Sequence, residues 1–170
     1  IAIGGSATND GGMGMLAALG AVFRDADGAL LAGRGGDLER LASADLSGLP
    51  SLDVTVICDV TNPLLGPSGA TYVYGPQKGA DDEALARLER GMENYARVLC
   101  NPGDFLGAGA AGGMGYALSV AFSGIMKRGI DAVLDAVKFD SLLAGVDLVV
   151  TGEGRLDGQW NRREQRDGRI

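Results

Sequence analysis

The sequence predicts an α/β fold, and three observations carry that prediction. Apolar, strand-like runs alternate along the chain with segments whose apolar residues recur at helical spacing. One run, DVTVICDV (53–60), is β-branched enough to read as a buried strand ending at Asp59. Glycine-rich turns follow the strand-like runs, where open α/β sheets place their ligands.

Taken in order, residues 1–3 read as the end of a strand. Residues 11–21 (GGMGMLAALGA) read as a helix with Met13, Leu16 and Leu19 on one face. Val22-Phe23 and Leu30-Leu31 flank RDADGA, whose Asp27-Gly28 is a hairpin turn signal. Residues 32–52 are rich in Gly, Ser and Asp around a short amphipathic patch at Leu38 and Leu41. The clearest helix spans about 82–100, with Leu85, Leu88, Met92, Tyr95 and Leu99 at helical spacing and Asp81-Asp82 suited to its N-terminal dipole. GAGAAGGMG (107–115) opens another helix through about Phe122, and 129–145 are helical by pattern. VDLVV (146–150) reads as a strand feeding TGEGRLDG. No internal repeat or low-complexity tract interrupts this alternation.

Composition narrows the function. At 170 residues and 46% hydrophobic content, the chain can bury a core, and its 29 glycines follow no fixed period. The net charge is −7; the tail NRREQRDGRI (161–170) carries a net +2, so residues 1–160 stand at −9. Such a body offers no broad basic face for nucleic acid. Cys58 and Cys100 fit a reducing, cytoplasmic setting better than a disulfide framework, and no apolar run is long enough to span a bilayer. There is no histidine, which removes Ser-His-Asp and Cys-His catalysis and makes a structural zinc site with two cysteines untenable. A general base must then be a carboxylate, a lysine or a bound water. Phosphoryl transfer tolerates this, because it depends mainly on positioning and charge neutralisation.

The candidate chemistry lies in the glycine-rich segments. IAIGGSATNDGG (1–12) crowds Gly4, Gly5, Ser6, Thr8, Asn9 and Asp10 into one strand-to-helix turn, more than a helix cap requires, so its amides are expected to bind an anion. Asp59, in CDVTNPLLGPSGA (58–70), stands at a strand end, where either an Asx-turn or a catalytic role is open to it. Lys78, one of three lysines, is held in the glycine-bounded turn GPQKGA (75–80), within reach of a phosphate or carboxylate. TGEGRLDG (151–158) offers Glu153 and Asp157 as metal-binding oxygens and Arg155 as an anion clamp. GAGAAG (107–112) matches a dinucleotide pattern, with Asp131 near the distance of a ribose-binding acid, but NPGDFL ahead of it makes a poor strand. Glycines that admit close backbone approach are the better reading there. No GxxxxGK[ST] occurs, so a Walker P-loop is excluded.

The ordered set IGGSATNDGGMGMLAALGA, CDVTNPLLGPSGA with YGPQKGA, PGDFLGAGAAGGMGYAL and DLVVTGEGRLDGQ resembles the bacterial type I glycerate kinases over most of residues 1–159. The resemblance implies a two-domain α/β fold, Rossmann-like with a second α/β domain inserted, and a cleft between them. It implies phosphorylation of D-glycerate by ATP and Mg²⁺, largely to 2-phosphoglycerate, with 3-phosphoglycerate as the other product; it leaves room for a homodimer. On that basis residues 1–145 are mostly the inserted domain. Residues 146–160 are the returning strand and GEGRLD loop of the Rossmann-like domain, and 161–170 a polar tail expected to be disordered. The family's sequence is more than twice as long and continues past GEGRLDGQ into a Gly-Lys-Pro-containing stretch, whereas here WNRREQRDGRI follows.

For that reaction, residue chemistry and placement make Asp59 the first choice for base or metal ligand and Asp10 the second. Glu153 and Asp157 would hold Mg²⁺. The 4–12 amides with Ser6, Thr8, Lys78 and Arg155 would hold glycerate carboxylate or nucleotide phosphates. Two alternatives stand beside this reading: a nicotinamide-dependent hydroxy-acid reductase resting on GAGAAG, and a catalytically incomplete fragment.

Overall fold

In a computed structural model, residues 1–150 and Gly152 are described. The first helix, α1 (Met13–Ala18), is shorter than the 11–21 that its apolar spacing predicts. Gly12, at φ 73°, precedes it, and Gly20, at φ 114°, follows the turn that ends it. Strand β1 (Val22–Arg24) pairs antiparallel with β2 (Ser43–Asp45), Phe23 opposite Ala44. The Asp27-Gly28 turn forms as expected, closing an Arg24–Leu30 bridge through the Gly28 N–H bond to the Asp25 carbonyl. Between them, residues 32–52 contain a 3₁₀ turn, Gly35–Arg40, and β2, neither of which their polar composition announces.

Strand β3 is Thr55–Ile57, ending two residues before Asp59 rather than at it. It pairs parallel with β4 (Ile125–Lys127), and Ala2 bridges to Ile57 in the same sense on its other side. These neighbours all run one way, so Gly4, Asp59 and Arg128 follow the carboxyl ends of adjacent strands. Helix α2 (Ala70–Tyr74) leads through a 3₁₀ turn, Pro76–Lys78, into α3 (Asp82–Val98).

Helix α3 forms where expected and for the expected reasons. The Asp81 carboxylate accepts the Ala84 N–H at 2.9 Å, Asp82 and Glu83 lie in the first turn and Arg97 in the last. Its inner face buries Leu85, Met92 and Tyr95. Tyr95 lies 6.3 Å from Phe23 and edge-on to Tyr116 at 5.6 Å, tying α3 to the β1–β2 pair and to α4 (Ala110–Phe122). Met13, Leu16, Leu38, Leu64 and Ala117 complete this core, and a smaller cluster of Val54, Val56 and Leu118 lies under β3.

Helix α4 is regular only after Gly113, because Ala111, Gly112 and Gly113 take left-handed conformations in succession. The predicted helix over 129–145 is two, α5 (Gly129–Ala136) and α6 (Phe139–Leu142), broken where Lys138 turns to φ 51°. Residues 146–150 form no strand; an apolar run becomes one only when a neighbour supplies its ladder bonds. The chain divides into two compact units, Ile1–Asp135 and Ala136–Ile170. Among the described residues no helix is long and apolar enough to cross a membrane.

Candidate functional site

The first glycine-rich loop, leaving the 1–3 segment, meets the 3₁₀ turn that ends at Lys78. Lys78 Nζ donates to Ser6 Oγ at 3.0 Å and to the Thr8 carbonyl. Beside this contact lies a hollow of about 110 Å³ whose lining combines Gly4, Gly5, Ser6, Tyr74, Gln77 and Lys78 with the apolar Ile3, Val60 and Ala111. Gly4, Gly5, Ser6, Thr8 and Lys78, all candidates from the sequence, are therefore together.

Two features of the loop bear on what it could bind. Among the described residues, none of the peptide N–H groups from Gly4 through Asp10 has a hydrogen-bond acceptor. Gly4, Gly5, Ala7 and Thr8 are exposed, so water can accept from their N–H groups, and Gly5 at φ 60° is of the kind that lets successive amides converge. Lys78 likewise forms no ion pair among the described residues, its hydrogen-bond acceptors being a hydroxyl and a carbonyl. Burial pushes its ammonium below the usual lysine range, and the nearby Asp10 charge opposes that shift only in part.

The loop is held in place from the far side by α4. Gly11 N–H donates to the Gly112 carbonyl at 2.9 Å, and a Cβ on Gly112 would sit 2.1 Å from the Thr8 carbonyl oxygen. Its φ of 71° would itself strain any side chain. Ala111, which lines the hollow, takes φ 53° without being glycine. Such strain costs of order 1–3 kcal/mol and persists only where the surrounding structure enforces it. This crossing gives the GAGAAG segment its role in the fold. No strand precedes it, so the strand–turn–helix context of a dinucleotide site is absent.

The two candidate carboxylates stand in different surroundings. Asp10, half-buried, accepts the Gly12 N–H at 3.0 Å, while Gly12 rather than Gly11 begins the helix cap. Asp59 is exposed and accepts the Gly129 N–H at 2.9 Å, at the start of α5, leaving Oδ2 unbonded among the described residues. It adjoins Val60 on the wall of the hollow. Asn9 turns inward: it is 9% exposed, its Nδ2 donates to Thr71 Oγ1 at 3.2 Å, and its Oδ1 is buried with no partner among the described residues. Glu153, Arg155 and Asp157 lie outside the described residues.

Sequence reasoning missed Tyr74, Gln77, Val60 and Ala111 as lining residues. Tyr74 donates from its hydroxyl to Asn62 Oδ1 at 2.7 Å, and burial raises its pKa, so the hydroxyl stays protonated. Asn62 in turn donates to the Ser68 carbonyl and accepts the Gly109 N–H through its own carbonyl, which fixes the 62–68 loop. The only signal in the sequence was their position in or beside the segments already singled out.

Among the described residues, no group of three or more Cys, Asp and Glu side chains is close enough to hold a metal. The described part of the site is thus a small hollow lined by glycines, Ser6 and Lys78, with Asp59 next in the chain to its lining residue Val60.

Comparison with known proteins bears on this arrangement. The description "Glycerate kinase family" fits residues 1–163. A glycerate kinase of Bacillus subtilis (strain 168) is 49% identical over 94% of this chain and 44% of its own length. A glycerate 2-kinase of Escherichia coli (strain K12) is 46% identical over the same shares. A crystal structure from Salmonella typhimurium LT2, assigned as a glycerate kinase 2, superposes with a TM-score of 0.83 at 51% identity, over 92% of this chain and 44% of that one. The chain thus spans about 44% of the length of these relatives.

Proposed function

Because this chain belongs to the glycerate kinase family, we propose that it forms part of an ATP-dependent kinase that converts D-glycerate to 2-phosphoglycerate. The observation that supports this best is the meeting of the 4–10 loop with Lys78, a half-buried cation that donates to Ser6 Oγ and has no ion-pair partner among the described residues. The name of the E. coli relative favours the 2-hydroxyl as acceptor; 3-phosphoglycerate is the competing product.

In this reading Gly4, Gly5, Ser6 and Thr8 hold an anionic group together with Lys78. Asn9 keeps their loop in register through Thr71. Asp59, with one oxygen on the Gly129 N–H and the other free, takes the proton from the attacking hydroxyl, and Asp10 is the second choice for that task. Without histidine, a carboxylate is the natural base near neutral pH. Mg²⁺ supplies charge neutralisation on the transferring phosphoryl group. Its proposed ligands, Glu153 and Asp157, together with the proposed anion clamp Arg155, lie outside the described residues. Residues 1–145 are read as mostly the inserted domain, and 146–160 as the segment that returns to the Rossmann-like domain. The protein acts in the cytoplasm on small molecules, and a homodimer is compatible with this.

The test is a chimera in which residues 1–159 replace the matching stretch of the B. subtilis relative, supplied with D-glycerate, ATP and Mg²⁺. Phosphoglycerate should form, and Asp59→Asn should lower turnover by at least about a hundredfold. A folded chimera that makes none overturns the kinase reading. Near-parental turnover of the variant removes Asp59 from the mechanism.

A further inference from the structure

Resting on the kinase reading, the geometry points to an assignment within the site: the hollow bounded by Lys78, Gly4–Ser6, Val60 and Ala111 binds the carboxylate of a short 2-hydroxy acid, and the nucleotide phosphates bind elsewhere. Three observations carry it. The first is charge. Lys78 is the one cation among the lining residues, so the hollow matches a monoanion. A di- or triphosphate carries several negative charges and would need further cations beside it. Lys127 and Arg128 are instead engaged with Asp135 and Asp131.

The second is size. At about 110 Å³ the hollow lies well below the roughly 300–1,000 Å³ of pockets that enclose drug-sized ligands, but it can take a two- or three-carbon acid. The third is the mixed character of the lining. Gly4, Gly5, Ser6 and Lys78 carry hydrogen-bond donors, while Ile3, Val60 and Ala111 offer apolar surface to a short carbon skeleton. A carboxylate beside Lys78 would pair with a half-buried ammonium that has no ion-pair partner among the described residues. The hydroxyl-bearing carbon would then extend past Val60, toward the side on which Asp59 follows in the chain.

The experiment is a titration of the ¹⁵N-labelled 170-residue chain, followed by amide resonances, with D-glycerate, D-gluconate, inorganic phosphate and ATP in separate arms. D-glycerate should move the Gly4, Gly5 and Ser6 resonances saturably. Lys78→Gln should weaken that binding by at least about tenfold, the scale of losing a charge-assisted hydrogen bond. D-gluconate, with its longer skeleton, should not compete. Val60→Phe, at a position 38% exposed and so tolerant of a larger side chain, keeps the cation but narrows the hollow, and should also lose D-glycerate. Each variant's spectrum reports whether it is folded, so a collapsed Lys78→Gln leaves Val60→Phe to decide.

Tighter, Lys78-dependent shifts of these amides by phosphate or ATP would overturn the assignment, as would D-glycerate leaving them unmoved. Neither outcome touches the kinase reading, which stands or falls on turnover by the chimera.

Discussion

Lys78 concentrates the physics of this site in one side chain. An ammonium drawn partly out of water usually finds a carboxylate; this one has Ser6 Oγ and the Thr8 carbonyl, and burial lowers its pKa from the usual 10.5. The consequence for pH has a definite sign. Anion binding requires the charged form, so affinity is complete well below the lowered pKa and is lost as pH rises through it. Binding of D-glycerate to the chain should therefore decline on the alkaline side at a lower pH than the titration of an exposed lysine at 10.5. Isothermal titration from neutral pH to that value checks this. Affinity held constant up to 10.5 would mean that the ammonium is not the group that reads the anion. For stability the sign follows from the same shift. Between the lowered pKa and 10.5 the unfolded chain binds more protons at this lysine than the folded one, so its contribution becomes more favourable as pH rises through that window.

At the level of elements, the site is a crossing of loops clamped by α4, and this explains what was legible in the sequence and what was not. Helix α3 could be read directly, since Asp81, the acidic first turn and the Leu85–Met92–Tyr95 spacing all agree. The strand–turn chemistry around Asp27-Gly28 was equally local. Gly4, Gly5, Ser6, Thr8 and Lys78 were singled out by residue type, although Ser6 and Lys78 are 72 positions apart and only the fold brings them together. What escaped was set by tertiary contact. Asn9 points inward because Thr71 is there to accept it, and Tyr74 reaches the hollow because Asn62 holds its hydroxyl. Residues 129–145 break in two at Lys138, where no glycine or proline marks the change. The left-handed run at Ala111–Gly113 is the device that lets α4 approach the loop, and it makes a clear prediction. Gly112→Ala adds left-handed strain of about 1–2 kcal/mol and sets a methyl against the Thr8 carbonyl, 2.1 Å away. It should destabilise the chain by at least about 2 kcal/mol in urea denaturation. A loss under about 0.5 kcal/mol would show that α4 does not clamp the loop.

On the scale of the whole molecule, the buried residues are distributed unevenly along the chain. Among the described residues every buried hydrophobic side chain lies between Met13 and Leu118, and no residue after Leu118 is buried. Beyond Ala136 the apolar residues Val137, Leu142, Val146, Leu148, Val149 and Val150 are all exposed. Hydrophobic burial is the main favourable contribution to folding, so the stability of the molecule resides in the first compact unit, Ile1–Asp135. The hollow beside Lys78 is built entirely within that unit: its loop, Lys78 and the α4 clamp all precede Ser123. A chain ending at Ala136, which keeps α5 whole, should therefore unfold in one cooperative transition, with a midpoint within about 3 °C of the 170-residue chain. It should also be more soluble, because it sheds a run of exposed valines and leucines that offers an aggregation surface. Differential scanning calorimetry of the two chains decides this. A fall of more than about 8 °C, or loss of the cooperative transition, would place part of the folding energy in the second unit, where no buried side chain among the described residues accounts for it.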